Sequence, residues 1–175
     1  VDDDNYKIFI ANKAAITEFL PEKNYTQFNN YLKLMKIVSE ATDDKTKTID
    51  DAKVLKEGEG LFTQDELTKS LSVYKLNYYS ANGNFQAYEK TALEHDKNPE
   101  ELNSSEVLAA ASMIGEKSSD PKSLQMAARW AEKVVMSSEN YDSTSTLAVL
   151  YNQLGKKEEA KMFAGMAANF AKEEN

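Results

Sequence analysis

A chain of 175 residues is long enough for one domain with a hydrophobic core or for a short array of repeats. Hydrophobic residues make up 41% and charged residues 29%, which is ordinary for a folded protein, while a net charge of −8 and a single arginine, Arg129, argue against nucleic-acid binding. The absence of cysteine excludes disulfides, iron–sulfur clusters and cysteine-based zinc sites within this chain.

Residues 1–47 are predicted to form two helices and a loop. The first helix carries a rough apolar stripe and ends at Pro21. The second places four apolar side chains on one face by their i, i+3, i+4, i+7 spacing: Phe28, Tyr31, Leu32 and Met35. The polar stretch from Thr42 to Thr48 that follows predicts a flexible loop.

Capping signals divide residues 48–98 into three further helices. Thr48 opens a sequence that resembles a capping box and predicts a short helix ending at Gly58. Thr63 and Glu66 form a complete capping box, so a second helix begins there. Asn82-Gly83 ends that helix, and the third follows at once.

Residues 99–175 are predicted to form two helical hairpins. The first helix buries a face of four apolar side chains: Val107, Ala110, Ala111 and Ile114. A polar link from Gly115 to Asp120 separates it from a second helix, which Asp120-Pro121 begins with a cap and a first-turn proline. We expect Asp142 or Ser143 to cap the third helix.

Gly155 separates the last two helices. A residue in the left-handed conformation can pair the final carbonyls of a helix and turn the chain back, and glycine does so without steric cost. Lys156-Lys157 and then Glu158-Glu159 suit the dipoles of the helix that ends and the helix that begins. Gly155 is therefore predicted to link two antiparallel helices.

These elements predict an all-α fold of about nine helices with no convincing strand. The predicted boundaries are an N-terminal helical pair at 1–47, a helical segment at 48–98 that packs onto the repeats, and two hairpins at 99–175. We expect one continuous domain. Because the chain starts at Val1, we also expect a fragment of a longer protein.

The last hairpin resembles the tetratricopeptide repeat, in which small residues let neighbouring helices approach closely. The matching positions are Leu147, Ala148, Tyr151, Gly155, Ala160 and Ala167. Thr144 and Ala164 stand where aromatic residues are usual or frequent in that family, and its closing proline is missing. Ala127 precedes Ala160 by 33 residues, close to the family period of about 34. The resemblance implies hairpins stacked as a short right-handed array.

A second resemblance spans residues 48–174. Four segments carry it: Phe85–Ala92, Asn98–Asn103, Ala127–Val134 and Asn140–Asp142. They are similar to the helical region that follows the thioredoxin-like domain in certain secreted proteins of Bacteroidetes. This resemblance implies a location in the periplasm or at the cell surface, and an upstream thioredoxin-like domain with the cysteine pair that this chain lacks.

The resulting hypothesis is a non-catalytic module that docks a protein, a peptide or a neighbouring domain, without a cofactor. Candidate partner-binding residues lie at outward polar positions of the first helix of each hairpin: Ser112, Ser145, Asn152 and Gln153. Arg129 and Trp130 are either an exposed anchor pair or, for Trp130, part of the helix packing. The alternatives are a substrate-positioning domain of a thiol-disulfide oxidoreductase and a structural spacer in a cell-surface lipoprotein.

No catalytic set can be assembled from the sequence. His95, the sole histidine, is expected at a helix end, and one histidine beside carboxylates does not make a zinc site. Asp2 to Asp4 lack the spacing of a calcium loop and suit a helix start or a solvated tail. A group of tyrosines forms either a stacking platform for a ligand or an inter-helix seam: Tyr74, Tyr78, Tyr79 and Tyr88.

Overall fold

The computed structural model describes residues 4–95 and 103–173, and the chain divides into two compact units, Val1–Asn84 and Phe85–Asn175. Within the described residues there are ten α-helices, and the strands are two segments of two residues each. The prediction of an all-α fold is confirmed. The helix that begins at Phe85, which the sequence places in the segment 48–98, belongs to the second unit.

The first unit contains five helices and the small β-ladder. Its elements are α1 (Asp4–Ala11), α2 (Lys13–Thr17), α3 (Glu22–Ala41), β1 (Thr42–Asp43), β2 (Thr48–Ile49), α4 (Asp51–Glu57) and α5 (Gln64–Ala81). The ring of Phe9 in α1 stacks on Tyr25 of α3 with 4.5 Å between centroids. Tyr6 donates a hydrogen bond of 2.8 Å to the side chain of Asn29. These contacts hold α1 against the N-terminal half of α3.

Two of the four side chains predicted to share an apolar face of α3 are about half exposed. Phe28 and Tyr31 are each 49% exposed. The buried side chains of α3 are Tyr25, Leu34, Val38 and Ala41. The C-terminal half of α3 packs against α4 and β1, so the face that they cover is the one that becomes buried. The four-residue stripe in the sequence does not reveal which neighbours will cover it.

The stretch 42–49 is a β-hairpin rather than a flexible loop. Thr42 pairs with Ile49 in an antiparallel register. The backbone N–H groups of Lys45 and Thr46 donate to the carboxylate of Asp43, which holds the pKa of Asp43 below its ordinary value. Lys47 has φ of 53° and donates from Nζ to the carbonyl of Asn82. The hairpin is therefore tied to the C-terminal end of α5.

Side-chain caps define the starts of α4 and α5. The cap of α4 is Asp50, whose side chain accepts from the N–H of Lys53, and not Thr48, because Thr48 lies in β2. The capping box of Thr63 and Glu66 at the start of α5 is confirmed. The hydrogen bonds from Thr63 lower the pKa of Glu66. Gly83 follows α5 with φ of 66°, which confirms the predicted turn.

The second unit consists of five helices. They are α6 (Phe85–His95), α7 (Ser104–Lys117), α8 (Pro121–Ser137), α9 (Tyr141–Gln153) and α10 (Lys157–Glu173). Consecutive helices from α7 to α10 pack on each other, and α7 also packs on α9. The four side chains predicted to form the buried face of α7 are all buried. Two hairpins with contact between their first helices match the expected pairing, while tetratricopeptide-type stacking stays a prediction.

The predicted polar link at 115–120 is partly wrong, because α7 continues to Lys117 and Gly115 is buried inside it. A Cβ atom on Gly115 would stand 3.0 Å from Cδ2 of Leu150 in α9. The glycine is therefore placed where two helix backbones approach closely. The short link begins at Ser118, whose hydroxyl donates to Glu89 of α6 at 2.5 Å.

The two ends of α9 are defined by local hydrogen bonds. Its cap is Asn140, which accepts from the N–H of Ser143 while the Ser143 hydroxyl accepts from the Asn140 N–H. The predicted cap at Asp142 or Ser143 is therefore wrong by two or three residues. At the other end Gly155 has φ of 75°, and the N–H of Lys156 donates to the carbonyl of Tyr151 at 2.9 Å. This is a Schellman ending, and the predicted glycine turn is confirmed.

Candidate functional site

A shallow groove runs between α7 and α9. One cavity of about 330 Å³ and a second of about 110 Å³ share Ser112, Ser145 and Thr146, so they form one continuous depression. We call it the α7–α9 groove. Its lining residues are Ser105, Leu108, Ala109, Ser112, Glu116, Asp142, Ser145, Thr146 and Val149.

The two helices run in the same direction along this groove. Ser105 and Asp142 line one cavity, Glu116 and Val149 line the other, and residue numbers rise together on both helices. The hairpin order explains this, since α8 returns the chain between α7 and α9. From Ser105 to Glu116 the helix rises about 17 Å at 1.5 Å per residue. That length accommodates about five residues of extended chain.

The groove exists because small side chains occupy its floor. Ala109, Ser112 and Ser145 leave room above the contact between the two helices. The close approach of Gly115 to Leu150 brings α7 and α9 together. The hydroxyl of Ser145 donates to the backbone carbonyl of Asp142 at 3.1 Å, which leaves its oxygen able to accept from a ligand. Ser112, Ser145 and Thr146, which line both cavities, make the middle of the floor polar.

The charge of the groove is negative. The carboxylates of Glu116 and Asp142 line it. Neither makes a hydrogen bond or an ion pair through its side chain with any residue that the structure describes. Among all residues of α7 and α9 the acidic side chains are Glu106, Glu116 and Asp142, and Lys117 is the one basic side chain. The surface therefore favours a positively charged ligand.

The structure brings two of the six predicted binding residues together. Ser112 and Ser145 face each other across the groove. Asn152 and Gln153 are exposed at the end of α9 and do not line it. Their position on a first helix is as predicted, but they lie beyond the part of α9 that contacts this depression. Whether any of them binds a partner stays a prediction.

The reading of Arg129 and Trp130 as an exposed pair is wrong. Arg129 is exposed on α8, but Trp130 is only 1% exposed. Trp130 shares the buried side of α8 with Ala127 and Ala131, as the packing alternative expects. Its indole Nε1 has no hydrogen-bond partner among the described residues. The side chain is part of the core.

Of the residues that line the groove, only Ser112 and Ser145 were predicted from the sequence. The spacing of the others along α7 and α9 nevertheless indicates them. Steps of three or four residues connect Ser105, Leu108, Ser112 and Glu116, which places them along one side of α7. The same steps run from Asp142 to Val149 on α9. Extending the pattern one turn in each direction from Ser112 and Ser145 would find the two carboxylates.

Tyr151 anchors a structural cluster beside the Gly155 turn. Its hydroxyl donates to Glu132 of α8 at 2.6 Å, and its ring lies 5.6 Å from that of Phe163 in α10. The Nζ of Lys156 sits over the ring, 4.8 Å from the centroid. Burial and the bond to Glu132 raise the pKa of Tyr151 to about 12. The phenol therefore stays protonated at neutral pH and links three helices.

The four tyrosines differ in burial and lie in both units. Tyr79 is buried in the first unit and Tyr88 in the second, as an inter-helix seam requires. Tyr74 and Tyr78 are half-buried on α5, with their rings 6.3 Å apart and nearly parallel. Tyr78 donates to the carboxylate of Asp44 at 3.3 Å, and burial raises the pKa of Tyr78. Tyr74 and Tyr78 therefore make their contacts within the first unit, and a ligand-stacking role for them stays a prediction.

Of the remaining candidates, His95 and Asp4 lie at helix ends, as the sequence predicts. His95 is the last residue of α6, at the helix end where we expect it. Asp4 lies in the first turn of α1, whereas Asp2 and Asp3 lie outside the described residues. Of the segment Asn98–Asn103 only Asn103 is described, and it caps α7. Among residues 4–95 and 103–173, no three acidic or histidine side chains are grouped as a metal site.

Within the described chain no helix combines the length and apolar character that crossing a bilayer requires. Comparison of the chain with protein-family models, with curated proteins and with solved structures finds no match.

Proposed function

We propose that this chain is a non-catalytic docking module that holds an extended peptide segment in the α7–α9 groove. The observation that supports this most directly is the groove itself: two parallel helices flank a continuous depression of small and polar side chains. The segment would come from a protein partner or from a neighbouring domain.

The chemistry of the lining suits a peptide backbone. An extended chain presents N–H and C=O groups that must be paired when they leave water. Ser105, Ser112, Ser145 and Thr146 provide hydroxyl oxygens that can accept from peptide N–H groups. The hydroxyls of Ser105 and Ser145 already donate to Asn103 and Asp142, so Ser112 and Thr146 are the groove hydroxyls for a peptide carbonyl. Leu108 and Val149 provide apolar contact at the two walls. A groove of this size buries little surface, so we expect a weak, transient complex.

The same lining argues for binding rather than reaction. A serine acts as a nucleophile when a general base stands beside it. The groove residues include neither histidine nor lysine. Its two carboxylates lie toward opposite ends of the depression, on different helices. We therefore assign the serines to hydrogen bonding with a ligand.

A selection with random heptapeptides displayed on phage tests the proposal. The full chain is immobilised, selected peptides are synthesised with a dye, and binding is measured by fluorescence anisotropy. Ser112→Trp fills the groove and should weaken binding at least about tenfold. The matched control is Ser80→Trp, which changes an exposed serine of α5 in the other unit and should leave the affinity unchanged.

Two results would contradict the proposal. One is that no peptide is selected by the unmodified chain. The other is that selected peptides bind Ser112→Trp as tightly as they bind the unmodified chain, while circular dichroism shows that the variant is folded. The thioredoxin-like neighbour and the extracytoplasmic location stay predictions that depend on the sequence resemblance alone.

A further inference from the structure

We infer that the segment held in the α7–α9 groove carries two basic side chains, one for Glu116 and one for Asp142. This inference rests on the proposed function and adds the chemistry of the partner. Two observations carry it: the positions of these carboxylates along the groove, and the lack of any described partner for either.

The helix geometry fixes the spacing of the two charges. Ser112 and Ser145 line both cavities and therefore stand at the same level along the groove. Asp142 lies three residues before Ser145, and Glu116 lies four residues after Ser112. At 1.5 Å per residue the two carboxylates are about 10 Å apart along the groove axis. An extended peptide spans that distance in about three residues.

Two basic residues separated by two to four positions fit this spacing, because lysine and arginine side chains are long and flexible. The polar floor between the carboxylates is formed by Ser112, Ser145 and Thr146, which suits small or polar residues in the middle of the segment. The expected motif is therefore two basic residues that flank a short, small or polar stretch.

Charge also determines what the groove rejects. A neutral or apolar segment laid over Glu116 and Asp142 would remove water from carboxylates and give no compensating bond. An acidic segment would add repulsion between like charges. Among the residues of α7 and α9, Lys117 is the only positive side chain, against three acidic ones. Both effects select a basic partner over the alternatives.

The test uses the peptides selected on the full chain. Sequencing should show lysine or arginine enriched at pairs of positions two to four apart. The variant carrying Glu116→Gln and Asp142→Asn keeps the shape of the groove and removes both charges. It should bind the selected peptides about tenfold more weakly, and the difference should shrink as salt is raised from about 0.05 to 0.5 M.

The matched control removes the same charge elsewhere. Glu18→Gln with Glu57→Gln changes two exposed carboxylates of the first unit and should leave the affinity unchanged. Peptides that depend on Ser112 but lack basic pairs would overturn this inference and leave the proposed function standing. Basic peptides that bind the Glu116→Gln, Asp142→Asn variant normally would also overturn it. If no selected peptide depends on Ser112 for binding, this inference and the proposed function are both overturned.

Discussion

Gly115 of α7 lies against Leu150 of α9, and a Cβ atom added to Gly115 would lie 3.0 Å from Leu150 Cδ2. Leu150 is fully buried, so it has little room to move away. The contact holds together the two helices that flank the α7–α9 groove. It therefore connects the packing of the second unit to the site.

Gly115→Val should destabilise the second unit, because the branched side chain would overlap Leu150 and force the helices apart. Overpacking of this kind costs about 1–3 kcal/mol. The measurement is the free energy of unfolding from urea titration followed by circular dichroism. Gly165→Val is the control, since a Cβ at Gly165 of α10 meets nothing within 4 Å. Equal stability of the two variants would contradict the close approach.

Gly155→Ala should destabilise the turn between α9 and α10. Gly155 has φ of 75°, a conformation that costs an L-residue roughly 1–2 kcal/mol. The matched control is Gly165→Ala, which should stabilise α10 by up to about 1 kcal/mol through helix propensity. Thermal unfolding of the two variants should shift in opposite directions. A shift of the same sign in both would rule out the left-handed turn.

Asn140→Ala should remove the cap of α9 and lower the free energy of unfolding by about 1 kcal/mol. The lost bond is the one that the Asn140 side chain accepts from the N–H of Ser143 at 3.0 Å. Asp142→Asn is the comparison, because Asp142 makes no such bond, and its effect should be smaller. The opposite order of the two effects in urea unfolding would place the cap at Asp142.

Tyr151 should make stability fall in strong alkali. Its pKa is raised from 10.0 to about 12 in the folded chain. The folded state therefore keeps the phenolic proton that the unfolded state loses. This contribution is complete below pH 10 and disappears as pH rises from 10 to 12, by an amount on the order of 2 kcal/mol.

Tyr151→Phe tests this dependence, since it lacks the titrating group and the bond to Glu132. Unfolding free energies measured between pH 9 and pH 12 should decline less steeply for the variant than for the unmodified chain. Tyr31→Phe, at an exposed position in the first unit, is the control and should keep the original slope. Parallel curves for the unmodified chain and Tyr151→Phe would show that the phenol is not perturbed.

Structural features that depend on a few adjacent residues were predictable from the sequence. The capping box at Thr63, the start of α8 at Asp120-Pro121 and the turn at Gly155 each depend on hydrogen bonds within one turn of helix. The sequence shows all the partners of such bonds. Together with the apolar spacing of α7 and α8, they were enough for the all-α fold.

Features that depend on distant neighbours were not predictable. The sequence predicts a loop that starts at Gly115, because it does not show that Leu150, 35 positions later, lies beside this glycine. For Trp130 the buried neighbours Ala127 and Ala131 favoured packing over a surface anchor, but periodicity alone does not say which elements will cover a helix face. The groove is missed in part for the same reason: its two sides lie on helices separated by α8.

The contact between α7 and α9 also affects how the second unit can be divided. A chain shortened to end at Ser137 would keep the first hairpin, yet it would uncover the side of α7 that packs on α9, where Leu150 lies beside Gly115. Apolar surface that becomes exposed in this way favours aggregation. We therefore expect the two hairpins to unfold as one cooperative unit, and the first hairpin alone to aggregate.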